Sequence, residues 1–124
     1  MTNASRPAPR RVLFVEDEPG LQRAYRRFFA RQFEMAFAAT GRAARSEFER
    51  FRPDVLVLDL HLPDADGVDV LRDLRERQPE LPVVITTSYS SMQPIVEVLG
   101  LRHSGYIVKP FDLNELAQLI DAAG

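Results

Sequence analysis

The chain contains no cysteine. Disulfides and thiolate metal sites are therefore excluded, and the absence agrees with a reducing cytosol. No apolar run is long enough to span a bilayer. Charge of one sign is lacking too: 16 Lys and Arg stand against 18 Asp and Glu, a formal net charge of -2. That leaves no general attraction for nucleic acid or an anionic membrane. The first ten residues hold no apolar segment, so they read as neither a signal peptide nor a membrane anchor. Residues 1–10 are expected to be a disordered leader, with Arg6, Arg10 and the adjoining Arg11 solubilising it. No internal repeat and no other low-complexity segment follows.

What is present fits one domain, expected over residues 11–124. A chain of 124 residues supports a single core, and 45% hydrophobic with 27% charged residues is the mixture of a globular protein. Val55-Leu56-Val57-Leu58 is wholly apolar and ends in Asp59. A run so short, bounded by Pro53-Asp54 and Pro63, reads as a strand buried on both faces. Val12–Val15 is a second such run, delivering Glu16-Asp17-Glu18. Val83–Thr87 and Tyr106–Val108 are two more, and Phe33–Ala38 is a strand nearer an edge. Between them lie helical stripes: Leu21, Ala24, Tyr25, Phe28 and Phe29; then Ala43, Ala44, Phe48 and Phe51; then Val68, Val70, Leu71 and Leu74. Pro94 and Gly100 bracket a short helix expected at 92–99, followed by an irregular connection. Asp112 and Glu115 form a capping-box pair ahead of Leu113, Leu116, Leu119 and Ile120. Five strand-then-helix repeats imply a parallel sheet covered on both faces.

In such a sheet the strand ends share one edge, which is where open α/β sheets place their chemistry. Glu16, Asp17, Asp59, Thr87 and Lys109 would meet there. Crowded carboxylates need a cation, and a hard divalent ion with oxygen ligands answers that need. Each residue also has a plainer reading. Asp59 ends a strand; Glu16, Asp17 and Glu18 favour a helix dipole; Lys109 is solvated; Thr87 is a strand threonine; Tyr106 is a core aromatic.

Val-Glu-Asp-Glu-Pro at 15–19, Leu-Asp-Leu-His-Leu-Pro-Asp-Ala-Asp-Gly at 58–67, Ile-Thr-Thr-Ser at 85–88 and Gly-Tyr-Ile-Val-Lys-Pro-Phe at 105–111 resemble the receiver domain of two-component response regulators. The resemblance covers residues 11–123. It implies a flavodoxin-like (βα)5 three-layer sandwich with strand order 2-1-3-4-5. It implies that Asp59 accepts a phosphoryl group from a histidine kinase or phosphotransfer protein, and that Asp17 binds Mg²⁺ or Mn²⁺ with Asp59. Glu16 would help directly or through water, and His61 would contribute its backbone carbonyl. Thr87 and Lys109 would hold phosphoryl oxygens, Tyr106 would switch with Thr87, and the bond before Pro110 would be cis. The output would be a downstream effector, a linked output domain or a phosphorylation-dependent dimer, in the cytosol, with no direct contact to nucleic acid or membrane. Beyond weak self-phosphorylation and self-dephosphorylation, no enzymatic turnover is expected.

Two features depart from the family pattern. Glu16 stands where aspartate is usual, and the stretch from Gly100 to Gly105 lacks the customary small residues. Two other functions compete. A receiver-like module that binds partners without phosphate is opposed by the presence of Asp17, Asp59, Thr87 and Lys109. A Mg²⁺-dependent phosphatase of the aspartate-nucleophile class would carry a second aspartate where His61 stands.

Overall fold

The structure, a computed structural model, describes residues 10–88 and 105–123. In chain order its elements are β1 (Arg10–Val15), α1 (Pro19–Phe28), β2 (Phe33–Ala38), α2 (Gly41–Phe51), β3 (Val55–Asp59), α3 (Gly67–Arg77), β4 (Val83–Thr87), β5 (Gly105–Val108) and α4 (Leu113–Ala122). The strands form one five-stranded sheet of order β2-β1-β3-β4-β5, and every pairing is parallel. This is the flavodoxin-like order expected from the sequence. The helix expected at 92–99 lies outside the described residues, as do most of the irregular connection expected after it and nearly all of the leader. Arg10 is a correction. It belongs to β1 rather than the leader, because it pairs with Phe33 of β2 in the parallel ladder, while its guanidinium donates to the carbonyl of Ile120 at 2.7 Å and ties the strand to α4.

Side chains of a strand alternate between faces, so a strand apolar at every position feeds two cores. Leu13, Val15, Leu56, Leu58, Val83 and Ile85 pack with α2 and α3. Val12, Phe14, Val55, Val57, Val84 and Ile107 pack with α1 and α4. Phe14 anchors the second layer, stacked on Tyr25 at 4.7 Å and on Phe29 at 5.6 Å between ring centres. Such offset pairs add about 1 kcal/mol each beyond the area they bury.

The helix ends are written locally. Thr40 caps α2 by accepting from the amide of Ala43 at 3.0 Å, and Asp66 caps α3 by accepting from that of Val68 at 2.9 Å. Asp112 and Glu115 form the expected capping box of α4. α2 closes on Arg52 in the left-handed region, φ 52°, just before Pro53. A non-glycine residue there is strained, and the following proline forbids continuing the helix.

Between β3 and α3 the chain makes a pinched return. Leu60 donates to the carbonyl of Thr86, Gly67 donates to that of Leu60 at 3.0 Å, and His61 bridges to Asp66. A Cβ on Gly67 would stand 2.3 Å from Leu60 Cα and 2.6 Å from its carbonyl oxygen. Backbone cannot yield there as a flexible side chain could. Gly67→Ala is therefore expected to lower stability by about 2–3 kcal/mol in urea unfolding. A loss below about 0.5 kcal/mol would show that the neck relaxes freely.

Candidate functional site

β1 and β3 are in register through Val15 and Leu58, which sets Glu16 beside Asp59 at the carboxyl edge of the sheet. Both share the strand face of Phe14 and Val57, and both are buried, at 1% and 2% exposure. Two neighbouring carboxylates out of water demand a counter-charge. Lys109 supplies it. β5 follows β4 in register through Thr87 and Val108, and the amide of Lys109 donates to the carbonyl of Thr87 at 2.7 Å. The lysine stem then reaches back across the sheet edge. Its Nζ lies 2.8 Å from Asp59 Oδ2, 2.9 Å from Glu16 Oε1 and 3.2 Å from Glu18 Oε2. The Lys109–Pro110 bond is cis, as the resemblance implied.

The other oxygens are held by backbone. His61 N donates to Asp59 Oδ1 at 2.9 Å, and Glu18 N donates to Glu16 Oε2 at 3.1 Å. The side-chain amide of Gln22 donates to the carbonyl of Glu16. Glu16 Oε1 is the exception. It sits at ion-pair distance from Lys109 but off the line of a hydrogen bond, so this buried oxygen has no aligned donor. Burial pushes the Glu16 carboxyl up from 4.5 to about 7; Lys109 and the Glu18 amide oppose the shift, and the charge of Asp59 adds to it. Burial works against the charge of Lys109. Its hydrogen bond with Asp59 and its ion pair with Glu16 outweigh that and raise its pKa, so the ammonium stays charged.

Asp17 is exposed at the mouth of the pocket. One oxygen from each of Glu16, Asp17 and Asp59 lies within 4.8 Å of the others. Thr87 is fully buried at the last position of β4, next to Thr86, which pairs with Asp59 across the sheet. Tyr106 is half-buried on β5 against the α2 and α3 side of the core, and the side chain of His61 is exposed. The strand ends thus bring Glu16, Asp17, Asp59 and Lys109 together, with Thr87 on the adjoining strand end.

Four contributors carried no local signal. Glu18 stands at the N-cap of α1, where an acid suits the dipole, yet its side chain makes no cap and turns to Lys109. Gln22 reads as a surface helix residue. Asp64 accepts from Gly41 N at 2.6 Å and Arg42 N at 3.1 Å, tying the loop after Asp59 to the start of α2. Those amides hold its carboxyl below the usual range. Tyr25, part of an apolar stripe in sequence, is completely buried, and no described residue hydrogen-bonds its hydroxyl.

This arrangement of acids and one lysine at the end of a buried strand agrees with comparison to known proteins. The family model of the response regulator receiver domain matches residues 12–121. The chain belongs to that family. It is 36% identical over 114 residues to the regulatory protein AtoC of Escherichia coli K12, covering 91% of this chain. It is 37% identical over 110 residues to the transcriptional regulatory protein TrcR of Mycobacterium tuberculosis, covering 88%. It spans only 25% of AtoC and 43% of TrcR. A CheY-like receiver domain protein from Methanospirillum hungatei has the same fold, with a TM-score of 0.84 over 92% of both chains at 23% identity. The family is one of signalling switches in two-component regulation. Among the described residues, no helix is long and apolar enough to cross a membrane.

The raised Glu16 carboxyl has a consequence for the metal-free receiver. In the unfolded chain Glu16 loses its proton near 4.5; in the fold it keeps it until about 7. Folding therefore takes up a proton between those values, and the Glu16 contribution falls as pH rises across that window, then levels off. Urea unfolding of the wild type and of Glu16→Gln between pH 4.5 and 8 isolates this: the mutant should lose that part of the slope. Parallel curves would place the Glu16 carboxyl in the ordinary range.

Proposed function

We propose that Asp59 is the phosphoryl acceptor of this receiver, taking the group from a phosphohistidine on a histidine kinase or phosphotransfer protein. The observation that carries this is the state of Asp59. It is a buried carboxylate at the end of the central strand, with one oxygen fixed by the His61 amide and the other by Lys109. An Asp59 oxygen attacks phosphorus in line, the O–P bond forms, and the donor imidazole leaves with a proton. Lys109 is already in contact with the attacking carboxylate, so a short movement brings its charge to a phosphoryl oxygen. Thr87, at the adjoining strand end, donates its hydroxyl to another.

The donor set suits Mg²⁺ or Mn²⁺: all are hard oxygens, and Glu16 Oε1 is a buried acceptor without an aligned donor. Asp17 and Asp59, with the His61 carbonyl, would hold the ion, and Glu16 would take part directly or through water. When bound, the metal neutralises carboxylate and phosphoryl oxygens together. A groove of about 720 Å³ opens beside Lys109, between the start of α1 and Pro110-Phe111, and offers room for the phosphohistidine side chain of the donor.

The acyl phosphate carries about one more negative charge than the aspartate it replaces. That charge is the signal. It biases a two-state equilibrium in which Thr87 and Tyr106 move together and the surface around β4 and β5 changes. The output is a downstream effector, a linked output domain or a phosphorylation-dependent dimer in the cytosol. Residues 1–10, apart from Arg10, serve as a leader to the domain. Self-phosphorylation from small donors and self-dephosphorylation are its weak intrinsic activities.

Intact-mass analysis after incubation with acetyl phosphate and Mg²⁺ tests this reading. A phosphate-sized increase is expected in the wild type, absent without the metal and absent from Asp59→Asn. No adduct, together with no uptake of beryllofluoride, would favour a module that binds its partners independently of phosphate.

A further inference from the structure

Two buried polar atoms at the site have complementary needs. Among the described residues, Glu16 Oε1 is an acceptor without an aligned donor, and the Tyr25 hydroxyl is a donor without an acceptor. Tyr25 is fully buried, on the same side of the sheet as Glu16. It stacks on Phe14, which precedes Glu16 by two residues and therefore shares its strand face. It lies one helical turn from Gln22, whose amide already holds the Glu16 carbonyl. Burial raises the Tyr25 pKa first, and the charge of Glu16 comes next, ahead of those of Asp59 and Glu18. The phenol is thus kept protonated, as a donor, within the field of the Glu16 carboxylate.

A buried hydroxyl left unsatisfied costs about 1–3 kcal/mol, and phenylalanine would fill the same space without that cost. Such a hydroxyl makes sense if another state of the protein uses it. Phosphorylation supplies one. When Lys109 moves to a phosphoryl oxygen it leaves Glu16 Oε1, and that buried oxygen loses the one side-chain donor group beside it among the described residues.

We propose that Tyr25 is a positioning residue of the phosphorylated receiver: its hydroxyl swings to donate to Glu16 Oε1 as Lys109 leaves it. The inference rests on Asp59 as phosphoryl acceptor. The exchange breaks one ion pair and forms one hydrogen bond, with no proton transferred. Tyr25 touches neither the phosphoryl group nor the metal; it acts through Glu16.

The test uses Mg²⁺ and beryllofluoride as the phosphoryl mimic. Titrations are made on the wild type, Tyr25→Phe, Glu16→Gln and the double variant, with urea unfolding of each without ligand. Tyr25→Phe should be as stable as the wild type or more so, yet bind beryllofluoride about tenfold more weakly, the effect of losing a hydrogen bond to a charged group. That loss should vanish in the Glu16→Gln background. Beryllofluoride should also shift the tyrosine absorption of the wild type, and the part assigned to Tyr25 should be missing from Tyr25→Phe. Equal affinity of wild type and Tyr25→Phe, or an equal loss in both Glu16 backgrounds, would overturn the inference and leave the acceptor role of Asp59 intact. Failure of the wild type to take up beryllofluoride would overturn both.

Discussion

One ammonium holds the carboxyl edge of this sheet together. Lys109 Nζ sits between Asp59 and Glu16, each almost wholly buried, and touches Glu18 at the rim. Without it, two carboxylates would face each other out of water, and the end of the central strand could not close. The pairing also spans the sheet, since Lys109 follows β5 while Glu16 follows β1. A single side chain thereby couples the first and last strands to the middle one. The charges do not balance, because three acids converge on one lysine and Asp17 waits at the mouth. The site is held short of positive charge, which makes it a receptor for more.

The fold makes that deficit affordable. The two cores on either side of β1, β3 and β4 are continuous, and the one beneath α1 and α4 is rich in aromatic rings. The loop after Asp59 is pinned at three places: by Gly67 against Leu60, by the bridge from His61 to Asp66, and by Asp64 on the first amides of α2. Pinning fixes the His61 amide on Asp59, so one oxygen of that carboxylate is oriented by backbone alone. The other is held only by a lysine on a four-carbon stem. Rigidity and mobility are thus divided between the two oxygens of one carboxylate.

Most of the sheet was legible because its central strands carry short, nearly unbroken apolar runs bounded by proline, glycine or acid. β2 emerges with the bounds read from sequence, Phe33–Ala38, and the capping box of Asp112 and Glu115 is local chemistry that needs no tertiary context. Arg10 was misplaced for the opposite reason: it is a charged residue whose place in β1 comes from pairing with Phe33 and from a bond to a helix carbonyl 110 residues away, and neither can be read locally. The site divides the same way. Asp59, Asp17, Glu16, Thr87 and Lys109 stand at strand ends, so a topology suffices to bring them to one edge. Glu18, Gln22, Asp64 and Tyr25 contribute through side-chain direction, which a periodicity argument does not carry. Tyr25 fits an apolar stripe by spacing, and its hydroxyl becomes conspicuous only when everything around it is known to be dry.

Glutamate at position 16 ties these strands of argument together. Its extra methylene, relative to aspartate, lets the carboxylate span from the Glu18 amide at one oxygen to Lys109 at the other. A shorter side chain from the same Cα would reach less far along that line. The longer reach puts Oε1 deep enough to be buried and misaligned, and burial is the leading cause of its raised pKa. A protonated or poorly solvated Glu16 costs stability in the resting state. It also means that any event which gives Oε1 a proper donor, or a cation, releases that cost. One carboxylate, rather than the pocket as a whole, is thus where the resting site carries its unmet demand for a donor or a positive charge.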